Sequence, residues 1–333
     1  MRAAVVGAGA VGARAARQLL FLGETERVAI LDSHRGRLEA VVASLGPPAT
    51  AAADLRDAVR EADVVIIATP AGHRGAAEAA IDAGASVVSV SDDVDDVRAL
   101  LGMDAEARER NRHIVVGAGF APGLSCLLAA HAARSFEEVV EIHVAKVGTG
   151  GPACARQHHV ALQGPAVESA NGTWQRRRGQ SGRALIWFPD PIGGVDCYRA
   201  ALPEPVILAE AFPNAARITA RVGANRRDRL TAHLPMLRRP HPEGTLGALR
   251  VEVRGRQGQV QADRVLGAVD RPAVAAGAVA AMAARWAADG RLTRTGAAGL
   301  ASLADPGPFL AALADRGVKA AIFEGAGASA HQA

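Results

Sequence analysis

Lysine is nearly missing from this 333-residue chain: of 38 basic residues only Lys146 and Lys319 are lysines, the rest arginine. With so much alanine beside it, that skew reads as base composition rather than as a nucleic-acid surface. Cysteine is scarce too. Cys126, Cys154 and Cys197 lie far apart, with no C-x-x-C pair and no even set. That excludes a disulfide framework and a structural zinc site, and fits a reducing cytoplasm. Aromatic residues make up 3% of the chain, with a single tyrosine and no stacking motif, so no nucleic-acid partner is expected. No apolar run is long enough to cross a membrane. Residues 273–288 carry Arg285, and the apolar opening stretch is broken by Arg14 and Arg17, so it is not read as an export signal. No H-x-x-x-H pair or acidic cluster suggests a metal, and no G-x-S-x-G elbow suggests a serine hydrolase.

What is present is unevenly charged. The formal net charge of +4 divides into −4 over residues 1–125, +7 over 126–268 and +1 over the remainder. A positive middle suits an anionic small molecule, or is an arginine-rich solvated surface. Over the first 125 residues, apolar runs at 3–6, 28–31, 49–53, 63–68, 86–90 and 114–116 alternate with helical spacing at 10–22, 37–44, 55–61, 73–83 and 94–101. Strands without polar alternation, separated by helices, indicate a parallel sheet covered on both faces. Residues 139–265 instead show alternating runs (139–144, 217–222 and 249–254) between loops rich in Gly, Pro and Arg, the pattern of a mostly antiparallel sheet with one wet face. Helical spacing returns from Pro272 to about Trp286 and again near Leu300 and at 309–313, and residues 325–333 read as a frayed tail.

Gly7-Ala8-Gly9-Ala10-Val11-Gly12 is a G-x-G-x-x-G run between the first strand and the first helix. The first glycine permits the tight turn, the second lets backbone approach a pyrophosphate, and the third lets helix and strand pack closely. Asp32 follows Gly12 by 20 residues at the end of the second strand, where a carboxylate binds a ribose 2′-hydroxyl. Dinucleotide binding is therefore expected through Gly7, Gly9, Ala10, Val11, Gly12 and Asp32. Asp32 favours NAD, while Ser33, His34, Arg35 and Arg37 leave NADP open. Ala68, Thr69 and Pro70 end the fourth strand at its carboxyl edge, which places them and His73 near the nicotinamide.

Gly117-Ala118-Gly119-Phe120-Ala121-Pro122-Gly123-Leu124, after the strand at 114–116, resembles the G-x-x-P-G-[LI] signature of saccharopine dehydrogenase-like oxidoreductases. Asp270-Arg271-Pro272, a helix, Asp289-Gly290-Arg291 and Gly317-Val318 are similar in order to that family's closing segment. The likeness covers the first 125 residues and roughly the last 65. The middle, with Gly148-Thr149-Gly150-Gly151-Pro152 and Phe188-Pro189-Asp190-Pro191, matches only in position. The resemblance implies an NAD(P)-dependent oxidoreductase acting at a C–N bond through an imine, with an inserted sheet domain that binds substrate and dimerises. Ala121 stands where saccharopine reductases carry an aspartate, and Ala85 where they carry a lysine.

Imine chemistry needs a proton donor near the hydride site. Lys146, at the end of an alternating strand before a glycine-rich loop, Tyr198 in a polar D-C-Y-R stretch, and His159 of the His158-His159 pair are the candidates. Arg156, Arg183 and Arg199 are candidate carboxylate clamps, because a guanidinium meets a carboxylate through two bonds. Asp92 is placed to meet a substrate amine or the nicotinamide ribose. The chain is thus expected to be α/β: a Rossmann-type doubly wound parallel sheet (1–125), an inserted α+β substrate and dimerisation domain (126–268) and a helical return to the first domain (269–325). Two functions stay open, a cytoplasmic homodimeric oxidoreductase of a small carboxylated substrate and a catalytically silent dinucleotide sensor.

Overall fold

The computed structural model describes residues 1–234, 240–242, 244–318 and 320–322. Lys319 and the tail expected at 325–333 lie outside them. Six strands open the chain: β1 (Arg2–Val6), β2 (Arg27–Leu31), β3 (Ala49–Ala51), β4 (Val64–Ile67), β5 (Ser86–Ser89) and β6 (His113–Val116). Eight more follow in the middle: β7 (Glu138–Val147), β8 (Ala166–Ala170), β9 (Thr173–Arg177), β10 (Ala184–Phe188), β11 (Gly193–Arg199), β12 (Arg217–Gly223), β13 (Gly247–Gln257) and β14 (Val260–Asp270). β15 (Gly296–Gly299) and β16 (Ala320–Ile322) come last.

The first sheet has the order β15-β6-β5-β4-β1-β2-β3 and is parallel throughout. Its centre is the uniformly apolar β4, whose four residues are fully buried, as expected of a strand covered on both faces. β15 reads as nothing in the sequence, because Gly-Ala-Ala-Gly has no strand propensity. It forms because the slot beside β6 admits only small residues: a Cβ on Gly299 would lie 2.2 Å from the Ile207 side chain. The chain therefore comes back to the first sheet after leaving it. The helix Ala10–Phe21 packs on Pro272–Ala288, where a Cβ on Gly277 would sit 2.6 Å from that of Arg14, so small residues set the approach. Pro272–Ala288 is buried around nearly its whole circumference, and among the described residues no helix is long and apolar enough to cross a membrane.

The second sheet has the order β10-β11-β12-β7-β13-β14-β16, with β8 and β9 beside β12. It is antiparallel except for the pair β7–β12. The two-residue period of β7 puts Ile142, Val144 and Lys146 on one face, opposite Ile218, Ala220 and Val222 of β12 and Val253, Val251 and Leu249 of β13. Lys146 thus ends an otherwise apolar stripe. The other face, expected to be wet, is mixed. Ala145, Phe188, Cys197 and Ala248 form a second small apolar cluster there, and farther along His143 bonds Thr219 (2.8 Å) and Glu141 (3.0 Å) while Arg254 bridges Glu141 and Glu252. Five helices were not expected from the sequence: Asp104–Glu109, Leu124–Ala133, Pro152–Gln163, Glu204–Ala211 and Arg226–Thr231. Pro152–Gln163 buries only Ala155, Ala161 and Leu162, so it lacks a clear apolar stripe.

Candidate dinucleotide and substrate cleft

A cavity of about 800 Å³ lies at the carboxyl edge of the first sheet. Its floor is the Gly7–Val11 loop with the ends of β2, β4 and β5. Its roof is the end of β7, the loop 148–151 and the helix Pro152–Gln163.

The fingerprint glycines have the three different environments their roles require. Gly7 has φ +102°, a backbone conformation that favours glycine, and a Cβ there would lie 2.7 Å from the Ala68 carbonyl oxygen. A Cβ on Gly12 would stand 1.8 Å from the Gly7 carbonyl oxygen, so only glycine lets this turn of helix close on the strand. A Cβ on Gly9 would meet nothing within 4 Å, and the helix that starts after it has no side-chain cap. The first-turn N–H groups therefore face open cavity, with the helix dipole behind them, as a pyrophosphate needs. Arg14 lines the same end, its Nη1 donating to the Ala10 carbonyl at 2.8 Å. These residues fit a dinucleotide.

Asp32 also lies on the wall, its side chain only 3% exposed. The Ala8 N–H and Arg37 Nε donate to its Oδ2 (2.7 and 3.0 Å), and the His34 N–H and Arg37 Nη2 to its Oδ1 (2.7 and 2.6 Å). Burial pushes its carboxyl up, but the Arg37 guanidinium and the two backbone N–H groups outweigh this and hold it below the usual range. Ser33, Ala68, Thr69 and Pro70 continue the wall toward Val90, Ser91 and Asp92 at the end of β5.

Opposite Asp92, the roof supplies Lys146, Cys154, Arg156, Gln157 and His158. The Lys146 ammonium donates to the Ala121 carbonyl at 2.8 Å and lies 3.9 Å from the Glu204 carboxylate. Glu204 is fully buried, and neither of its oxygens has a hydrogen-bond partner among the described residues. Burial pushes the Asp92 carboxyl up; Lys146 opposes this, Glu204 and Asp93 add to it, and the balance is upward. Burial depresses Lys146, but Glu204 and Asp92 more than compensate and leave its ammonium above the usual lysine value. Burial pushes the Cys154 thiol up to about 11 and the His158 imidazole down to about 4. Gln157 Nε2 reaches Asp93 at 3.1 Å, tying roof to floor. Among the described residues no group of His, Cys, Asp and Glu could hold a metal ion.

Residues 1–91 match the model of an oxidoreductase family described by its NAD-binding Rossmann fold. Apo saccharopine dehydrogenase (L-Glu forming) from Saccharomyces cerevisiae superposes with a TM-score of 0.72 at 14% identity, covering 97% of this chain and 99% of that one. The chain has the saccharopine dehydrogenase fold. GenD2 from gentamicin A biosynthesis, solved in complex with NAD, gives a TM-score of 0.47 at 18% identity over 98% of this chain and 97% of its own. A probable dehydrogenase from Thermotoga maritima gives 0.45 at 16% over 79% and 76%. No curated protein matches the sequence.

Within this saccharopine dehydrogenase fold, several residues expected at the site are held elsewhere. Tyr198 is buried off the wall, its hydroxyl accepting from Arg229 at 3.1 Å with that guanidinium 4.2 Å above its ring. Arg199 is spent on Glu168 (2.6 Å) and Arg183 on Asp196 (2.9 Å), so of the three arginines only Arg156 borders the cavity. His158 and not His159 faces it, since adjacent helical residues point about 100° apart. Arg35 projects into solvent and pairs with Glu39. His73 is sealed below the floor, bonded to Ser89 (2.8 Å) and the Thr69 carbonyl (2.9 Å), where it braces β4 against β5 rather than meeting a ligand. Conversely, Cys154 lines the cavity and Glu204 lies buried behind Lys146, and neither carried a signal. Arg37, expected as a possible 2′-phosphate ligand, grips Asp32.

Proposed function

We propose that the chain is an NAD(P)-dependent oxidoreductase that transfers hydride at the C–N bond of an amino-acid-like, carboxylated substrate. The observation that supports it most is one continuous cavity, with a pyrophosphate cradle at one end and Asp92 and Lys146 at the other, Glu204 lying buried behind Lys146. A bound nicotinamide dinucleotide supplies or accepts the hydride. The chain's own residues do the rest. The Gly9 turn and Arg14 take the pyrophosphate, Asp32 and Ser33 the adenosine ribose, and Thr69 and Pro70 border the nicotinamide. Arg156 on the cavity lip binds the substrate carboxylate. Two carboxyl groups around one lysine suit a nitrogen that becomes positive during the reaction, more than they suit a neutral alcohol.

In this reading residues 1–125 form the dinucleotide domain, 126–268 the substrate and dimerisation domain, and 269–325 the return segment. The protein works as a cytoplasmic homodimer, and NAD is the preferred dinucleotide. The test follows NAD(P)H absorbance with amino acids in one direction, and with 2-oxo acids plus amines in the other. Turnover of a C–N substrate is expected. Tight dinucleotide binding with silence across both panels would instead assign a sensor, a reading favoured by Ala121 and Ala85 at the family's aspartate and lysine positions.

A further inference from the structure

Lys146 and Asp92 border the same cavity, but the groups behind them make them unequal. Lys146 sits between the Ala121 carbonyl at 2.8 Å and Glu204 at 3.9 Å. Glu204 is fully buried at the start of the helix Glu204–Ala211, its oxygens otherwise unpartnered among the described residues. A carboxylate sealed in such a place needs a permanent cation beside it. Were Lys146 to give up its proton, Glu204 would be left as an uncompensated buried anion. Asp92 has no such constraint. It lies partly exposed at the carboxyl edge of β5, where ligands bind in open parallel sheets.

We propose that Asp92 is the catalytic residue that exchanges a proton with the substrate nitrogen, and that Lys146 is a fixed cation pinned by Ala121 and the positioning residue Glu204. The C–N reading above enters only in naming the atom that receives the proton. In the direction of imine reduction, Asp92 gives its proton to nitrogen as the C=N π pair localises there. The carbon has received the hydride of a reduced nicotinamide dinucleotide, so a secondary amine, an Asp92 carboxylate and the oxidised dinucleotide result. Oxidation of the amine runs the same transfers backwards, with Asp92 as base.

The surrounding charges agree with this division. Asp92 is faced by Lys146 from β7, Glu204 from its helix, Asp93 from its own loop, Cys154 from the roof and His73 from below. Burial and the two carboxylates move it toward neutral pH, where a general acid works best. Lys146, faced by Glu204, Asp92, Cys154, Cys126 and His158, moves away from neutral pH. His158, pushed down to about 4, carries no proton to give at neutral pH, and the Cys154 thiol, pushed up to about 11, does not readily release one.

The near-absence of lysine makes the test direct. Protein labelled with ¹³C at lysine Cε gives two side-chain signals, Lys146 and Lys319, which Lys146→Arg tells apart. The Lys146 signal should stay that of an ammonium up to about pH 10, near the ordinary lysine value, and titrate at lower pH in Glu204→Gln. Infrared spectra at neutral pH should show a protonated-carboxyl stretch that Asp92→Asn removes and Glu204→Gln retains. Titration of wild-type Lys146 between about pH 6 and 8, or identical infrared spectra for wild type and Asp92→Asn, would overturn the proposal. With an active 2-oxo acid and amine pair, Asp92→Asn should lower kcat by about 10²- to 10⁴-fold at unchanged dinucleotide affinity; full activity would also overturn it. If both panels are silent while the two spectra behave as expected, the C–N reading and the catalytic role of Asp92 fall together, and only the fixed Lys146–Glu204 pair stands. An active pair with unchanged activity in Asp92→Asn overturns the Asp92 role alone.

Discussion

Arg37 holds Asp32 through two parallel bonds, Nε to Oδ2 at 3.0 Å and Nη2 to Oδ1 at 2.6 Å. With the Ala8 and His34 N–H groups on the same oxygens, all of the roughly four acceptor sites of the carboxylate are taken. A ribose 2′-hydroxyl therefore has to share Asp32 with Arg37, and a 2′-phosphate would meet the half-exposed guanidinium only beside that carboxylate, which is in keeping with the proposed NAD preference.

Arg37→Ala should therefore separate the two dinucleotides. Freed of its competitor, Asp32 should bind NADH more tightly, by up to about tenfold, the worth of one exposed charge-assisted bond. NADPH should weaken, because its phosphate then faces Asp32 alone. Fluorescence titration of both reduced dinucleotides decides the matter, and a parallel change in the two affinities would show that Arg37 does not discriminate.

Gly9 and Gly12 should fail in opposite ways. Around Gly9 there is open space, so Gly9→Val should fold with near-normal thermal stability and lose dinucleotide binding. Around Gly12 the Gly7 carbonyl stands where a methyl would go, so Gly12→Ala should cost about 3 kcal/mol or more of stability. Urea melts and dinucleotide titrations on both variants check this. A folded Gly9→Val that binds normally would remove the pyrophosphate from this turn.

This contrast shows what the sequence makes visible. The first sheet is legible because β4 and its neighbours are apolar throughout, and because a glycine triplet and Asp32 have meaning at fixed spacing. The roof is not. Cys154, Arg156, Gln157 and His158 turn toward a cavity, so the helix bearing them has no apolar stripe and reads as loop. Glu204 sits in Leu-Pro-Glu-Pro, which spells a turn, and its role appears only when the helix it starts is laid against Lys146. Tyr198 and Arg199 look available in one dimension and are consumed in three, by Arg229 and Glu168.

Lys146 carries a structural cost as well as a chemical one. From sequence, Lys146→Ala is expected to lower turnover without unfolding. The structure adds that it strands Glu204, so a loss of about 3–5 kcal/mol is expected, as for a buried pair broken on one side. The double variant Lys146→Met with Glu204→Leu should recover most of that stability while staying inactive. A double variant no more stable than Lys146→Met would mean that the two side chains do not compensate each other.

His158 should make the fold sensitive to mild acid. Burial holds its imidazole down to about 4, with Lys146 and His159 adding to the effect and Asp228 opposing it, against about 6.5 when unfolded. Between those values the unfolded chain binds the extra proton. The contribution is therefore fully present above about pH 6.5 and is lost as pH falls toward 4. In that window wild type should lose stability relative to His158→Gln, by at most about 1.4 kcal/mol per pH unit. His73, His113 and His143 are also depressed by burial and act in the same direction, but they cancel when the two proteins are compared. Urea unfolding at pH 7.5 and pH 5 measures the difference, and equal losses in both proteins would mean that His158 is already protonated in the native fold.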